Sequence, residues 1–177
     1  MAKKVITFGL SKSEIDKAIK ELDKYKRSFE RKVDLFRQKV AEEIKRQSQM
    51  GFNASGINDV VHSGTRPAKV TVDVSHNGNV SIVFTDGEDA VWCEFGAGIY
   101  HNTPVGDSPN PYGKELQLTI GSFGEGKGGQ RVWGYYEDPD DKNSLVLTHG
   151  TPATMPMYNA VQSVVPRIVE IAKEVFK

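Results

Sequence analysis

From Ser11 to Met50 the chain carries no glycine and no proline, and that stretch constrains the fold more than any other. Apolar residues recur at Ile15, Ile19, Leu22, Phe29, Val33, Phe36, Val40 and Ile44. Ile15, Leu22, Phe29 and Phe36 stand seven apart, Ile19, Val33 and Val40 fill the alternate seam, and Lys26 is the one break. This is the period of an amphipathic α-helix with a heptad bias. Ser11 and Glu14 form an S-x-x-E capping box at its start, each side chain able to satisfy a free backbone N–H of the first turn. The expected helix spans 11–50. Its periodic core of ~38 residues is about 57 Å long at 1.5 Å per residue. A helix of that length overhangs a domain of this size. Its apolar stripe therefore has to be covered partly by another helix of the chain, or by a neighbouring subunit.

The remainder reads as strands and turns, closed by a second helix. Gly51 to Pro67 has no clear periodicity and is read as a loop. In 69–85, Val70, Val72 and Val74 alternate with Thr71 and Asp73, and Val80, Ile82 and Phe84 carry a return strand. Asn77-Gly78 between them is expected to form the tight turn of a hairpin. Ala90 to Phe95 reads as one or two helical turns stopped by Gly96. Residues 101–130 are rich in Gly, Pro, Asn and Ser, with Leu116, Leu118 and Ile120 as a strand-like trio, and are expected to be a flexible inserted loop. Strands resume at 132–136 and 145–148. The closing helix, 156–176, opens on Pro156 at a permitted first-turn position and presents Val161, Val164, Ile168, Ile171 and Val175 on one face. Pro166 is expected to kink it. The fold class expected is a single α+β domain over 1–177. It has a long N-terminal helix, an antiparallel β-sheet over 68–148 with a long inserted loop, and a C-terminal helix packed on the sheet.

Composition narrows the function classes. The 177 residues have 38% hydrophobic content, enough for one core, and a formal net charge of zero. A zero balance disfavours nucleic-acid binding driven by global positive charge. Between Lys12 and Arg46 there are twelve Lys/Arg and eight Asp/Glu, an excess of four positive charges that the rest of the chain offsets. A basic end and an acidic body suit head-to-tail association of copies, and equally suit an ordinary solvated helix face. The single cysteine, Cys93, excludes an internal disulfide framework and reads as a small buried filler. No apolar run suggests a signal peptide or a membrane helix, so a reducing cytosol, or a particle assembled there, is the expected setting.

The catalytic motifs are weak. Gly124, Gly126 and Gly129 spell G-x-G-x-x-G, but they lead into a strand, whereas the dinucleotide fingerprint needs a helix N-terminus after them. Gly121 to Lys127 spells G-x-x-x-x-G-K, but Gly128 stands where a P-loop needs Ser or Thr. His62, His76, His101 and His149 form no metal-ligand spacing, and Ser122 lacks the flanks of a nucleophile elbow. No catalytic, metal or cofactor residue is assigned. The aromatics Trp92, Phe95, Tyr100, Trp133, Tyr135 and Tyr136 flank the inserted loop, and aromatic anchors at loop edges are frequent interface hot spots. Trp133 and Tyr135, alternating with Gly134, are expected to share the inward face of their strand.

Two cassettes carry a resemblance. One is Ala90 to Asn102, AVWCEFGAGIYHN; the other is Arg131 to Ala160, an aromatic strand, an acidic turn, a second strand and then Thr148-His149-Gly150-Thr151-Pro152. In this order, after a long helix and a hairpin, they resemble the tail-completion or head–tail joining proteins of long-tailed bacteriophages. The sharpest matches are Glu94-Phe95-Gly96-x-Gly98, Gly121-Ser122-Phe123-Gly124, Trp133, Gly150-Thr151-Pro152-Ala153 and the helix start at Pro156-Met157. Many relatives have Thr-Gly-x-Leu after the first helix, where this chain has Ala54-Ser55-Gly56-Ile57.

The resemblance implies a non-enzymatic virion protein of the neck, a ring subunit, generally sixfold, that completes the tail or joins it to the head connector. Its partners would be further copies of itself and the neighbouring head-connector and tail-tube or terminator proteins. DNA would be passing cargo only, and no membrane would be involved. The residues singled out for interaction are Trp92, Glu94, Phe95, Tyr100, Trp133, Tyr135, His149 and Tyr158. The alternatives are a tail terminator or connector-stopper and, in another class, a small cytosolic enzyme using His149 or the 121–129 glycine loop.

Overall fold

The structure, a computed structural model, describes residues 5–60, 64–97, 108–113, 115–116, 132–148 and 150–177, with the backbone alone at Asp59, Val60 and Trp133. Most of the inserted loop and its glycine cluster lie outside the described residues, as do Tyr100 and His149. In chain order the elements are α1 (Lys12–Asn53), β1 (Gly56–Val60), β2 (Gly64–Pro67), β3 (Thr71–Asn77), β4 (Val80–Asp86), α2 (Ala90–Phe95), β5 (Trp133–Tyr136), β6 (Leu145–Thr148), α3 (Pro156–Val164) and α4 (Ile168–Val175). The class is α+β, with a long N-terminal helix, small antiparallel sheets and a C-terminal helical segment. No described helix is long and apolar enough to cross a membrane.

α1 is 42 residues long, about 63 Å at 1.5 Å per residue. Ser11 caps it, its side chain accepting the Glu14 N–H at 3.4 Å and donating to the Glu14 carboxylate. Its most buried row is Ala41, Ser48 and Phe52, beside the heptad seam rather than on it. The seam itself is covered only in part. Phe176 packs on Phe29 and Phe36, with ring centroids 5.7 and 6.2 Å apart, while Ile15, Ile19, Leu22 and Tyr25 remain exposed.

The described strands form three separate two-stranded antiparallel ribbons, β1–β2, β3–β4 and β5–β6, where one sheet was expected. The C-terminal helices lie chiefly along α1, because the seam offers them a longer apolar surface than any ribbon of two strands. Pro166 sits in a 3-10 turn, Val165–Arg167, that separates α3 from α4. The proline lacks the N–H that a continuous helix would need there.

The expected loop 51–67 contains the last turn of α1 and the whole β1–β2 ribbon, whose register shifts between Asn58 and Val60. That irregularity hides the alternation by which a strand is recognised. The β3–β4 hairpin stands where expected, but its turn is one residue further on. Asn77 pairs with Val80, so Gly78-Asn79 forms the two-residue loop. Only Gly78 is left-handed (φ 53), as in a turn with glycine at its first central position.

The core gathers Phe52, Ile57, Val70, Val72, Ala90 and Cys93, with Ala68, Val83 and Met157 packed around it. Full burial of a side chain such as Phe52 or Val72 contributes about 1.5–3 kcal/mol. In β3 the alternating valines turn inward, but the polarity of β4 is the reverse of the simplest reading. Val83 faces the core, while Val80, Ile82 and Phe84 point outward and are 55%, 55% and 43% exposed.

Candidate interaction surface and the joint behind it

α2 is six residues long and ends at Gly96, whose φ of 83 favours glycine and whose N–H donates to the Trp92 carbonyl at 2.8 Å. The segment beyond α2 pairs with the segment that leads into α3. Ala97 and Thr151 exchange two backbone hydrogen bonds of 2.7 Å, and the Cys93 carbonyl accepts the N–H groups of Thr154 and Met155 at 2.8 and 3.1 Å. The two cassettes singled out in the sequence are therefore one physical joint.

Glu94 is the key to that joint. The N-cap of α3 is Met155 (φ 53), which makes no side-chain cap hydrogen bond, so the helix's first N–H groups need an outside acceptor. The Glu94 carboxylate, 9% exposed, supplies it. It accepts from the N–H of Met157 at 2.8 Å and of Tyr158 at 3.0 Å. A third donor is the Asn110 side-chain amide at 2.8 Å. A carboxylate at a helix N-terminus is further favoured by the macrodipole.

Ser108 Oγ donates to the Phe95 carbonyl, and Tyr112 meets Tyr158 edge to face at 6.3 Å. On the other side, Ser55 Oγ donates to the Gly51 carbonyl and lies 2.6 Å from Thr154 Oγ1. Ser55 thus ties the end of α1 to the entry of α3. The Asn58 amide holds the Gly150 carbonyl at 2.7 Å.

A second buried carboxylate, Asp89, takes the Arg66 guanidinium at 2.6 and 2.9 Å and the Lys69 N–H at 2.8 Å. The Arg66 hydrogen bonds hold its carboxyl below the ordinary carboxylate range. Burial pushes the Cys93 thiol up to about 11, which keeps it protonated and unreactive at neutral pH. Both carboxylates spend both oxygens on hydrogen bonds inside the fold, so their chemistry in this conformation is structural. Among the described residues no group of three or more His, Cys, Asp or Glu converges to hold a metal ion.

The residues expected to interact divide. Glu94, Phe95 and Tyr158 come together at the joint. Trp92 is 46% exposed on α2 and is available at the surface. Tyr135 is 36% exposed, so its face of β5 is only partly covered, and the side chain of Trp133 lies outside the described residues. Tyr100 and His149 lie outside them too. Asn110, Arg66, Asp89 and Ser55 are functional parts of this architecture that the sequence reading missed. No spacing rule marks them, because each acts on a segment distant in the chain.

Among the described residues the outer surface is apolar in several places, three of which bear on association. One is the N-terminal half of α1, Ile15 to Phe29. The second is the outward row of β4, and the third is the outer face of the β5–β6 ribbon, where Tyr136, Leu145 and Leu147 are 49%, 49% and 44% exposed. On the opposite face of α1 from its apolar stripe, Lys20, Lys24, Arg27 and Arg31 form a largely basic surface together with Asp23. Compared with protein-family models, curated proteins and solved structures, the chain matches none.

Proposed function

We propose that this chain is a structural virion protein of a tailed bacteriophage or prophage, a subunit that completes the tail or joins it to the head connector as part of a ring. The observation that carries the reading is the uncovered N-terminal half of α1. Ile19, Leu22 and Tyr25 are each more than half exposed, although they continue the same seam that Phe176 covers further along. A helix with an apolar stripe of this kind calls for a partner surface. Ring contacts are heterologous, so each subunit needs two different complementary patches. The α1 stripe and the apolar β5–β6 face, with Glu137, Asp138, Asp140 and Asp141 at its turn, are two such patches. The Glu94 joint gives the reading a second support, because the described parts of the two segments that carry the family resemblance, 93–97 and 151–158, meet at one corner of the fold. In this reading DNA is cargo, the protein resides in the virion neck, and no catalytic role is assigned.

The test is electron microscopy of lysates from a phage whose copy of this gene is deleted. DNA-filled heads beside unjoined tails support a neck role, and the tail ends distinguish completion from joining. Intact virions of normal morphology overturn it. Complementation by the Leu22→Glu chain should fail, although that chain folds.

A further inference from the structure

The β3–β4 hairpin has two outer edges, and the molecule treats them differently. In an antiparallel pair, alternate residues turn their N–H and C=O groups away from the partner strand. Along β3 and the residue before it, three of these groups are occupied. The Gln49 side chain, reaching from α1, accepts the Val72 N–H at 2.8 Å and donates to the Val70 carbonyl at 3.0 Å, and Asp73 accepts the Val74 N–H at 2.8 Å. The register pairs Val72 with Thr85, Val74 with Val83 and His76 with Ser81. The outward groups of β4 are therefore those of Ser81, Val83 and Thr85, and no described residue donates to or accepts from them.

Nothing in β4 discourages another strand from using that edge. Its seven residues, VSIVFTD, contain no proline and no charge before the terminal Asp86, and they pair with β3 without a bulge. Charges, prolines and bulges are the usual protections of an exposed edge; the β1–β2 ribbon has a register shift together with Arg66 and Pro67. The outward row Val80, Ile82 and Phe84 is exposed as well. An isolated two-stranded ribbon is marginally stable, and further strands strengthen it.

We infer that β4 is a strand-addition site whose occupant is β4 of a second copy, antiparallel about a two-fold axis at Val83. The register follows from the outward groups. Val83 of each copy exchanges N–H···O=C bonds with Val83 of the other, Ser81 stands opposite Thr85, and Ile82 stands opposite Phe84. The last is a β-branched–aromatic cross-strand pair, among the favourable kinds. The strand's only charge, Asp86, meets Val80, so no like charges face each other. Two ribbons become one four-stranded sheet, and the two apolar rows shield one another. The contact is isologous and closes at two copies. It leaves the α1 stripe and the β5–β6 face free, and it goes beyond the neck reading without resting on it.

The test is sedimentation equilibrium of the full-length chain across the micromolar range, with circular dichroism as the control for folding. Wild type should be dimeric. Ile82→Lys, at a side chain already half in solvent, should be monomeric with an unchanged spectrum. The Ile82→Cys/Phe84→Cys double variant should oxidise to a covalent dimer on a non-reducing gel, while Ile82→Cys alone, whose cysteines are out of register, should not. Buried Cys93 does not compete. A monomeric wild type overturns the proposal and assigns the edge to a different chain, and so does a dimer that survives Ile82→Lys. Equal cross-linking by the single variant overturns the register. These readouts are masses in solution, so they succeed or fail independently of tail morphology.

Discussion

Glu94 and Met157, 63 residues apart in the chain, are joined by a 2.8 Å hydrogen bond in which the carboxylate accepts the backbone N–H. With Tyr158 N–H and the Asn110 amide, it makes Glu94 the acceptor for three donors. Replacing Glu94 by Ala leaves the start of α3 uncapped and the buried Asn110 amide without its best partner. An unsatisfied buried polar group costs about 1–3 kcal/mol, so Glu94→Ala should lower the free energy of unfolding by about 2–3 kcal/mol. Glu94→Gln keeps an acceptor oxygen and should cost less. Urea titration checks the order. A loss under about 0.5 kcal/mol for the alanine variant, the size of an ordinary surface substitution, would show that water replaces the carboxylate without penalty.

Ser48 makes the opposite point. It is fully buried on α1, and its hydroxyl has no hydrogen-bond partner among the described residues. Removing a buried hydroxyl that bonds to nothing relieves a desolvation cost, and alanine is the better helix former. Ser48→Ala should therefore stabilise the fold by about 0.5–1 kcal/mol, read as a higher urea midpoint at unchanged slope. A destabilised variant would mean that the hydroxyl bonds to something in solution.

What was legible in the sequence followed from periodicity. The heptad repeat and capping box gave α1, alternation gave the β3–β4 hairpin, and Pro166 marked the break between α3 and α4. What escaped was whatever lacked a local period. The β1–β2 ribbon is irregular between Asn58 and Val60. The buried row Ala41–Ser48–Phe52 is built largely from small residues, which contribute little to a hydropathy pattern. In β4 the strongest apolar residues face solvent, because the core needs Val83 opposite Val74 and the register then fixes every other side chain. At the joint, Glu94 was visible as a candidate and its partners were not: a cap supplied from 63 residues away leaves no spacing to read.

The same long-range logic governs acid sensitivity. Glu43 on α1 accepts from Arg46, from Gln47 and, across to the 3-10 turn, from Arg167 at 2.7 Å. The Arg46 hydrogen bond, with Gln47 and Arg167 adding to it against the opposing effect of burial, holds its carboxyl down from 4.5 to about 2. Asp89 is shifted in the same direction by Arg66. A carboxylate whose folded pKa is depressed binds protons more weakly when folded than when unfolded. Its contribution is complete above the unfolded pKa and lost as pH falls toward the folded one. Stability should hold down to about pH 5 and then drop toward about pH 2. Glu43→Gln should be less stable than wild type at neutral pH and should lose less on acidification. The two urea midpoints should therefore converge in acid. If the gap between them stays constant with pH, the Arg46–Glu43–Arg167 bridge between α1 and the 3-10 turn is not what couples protonation to folding.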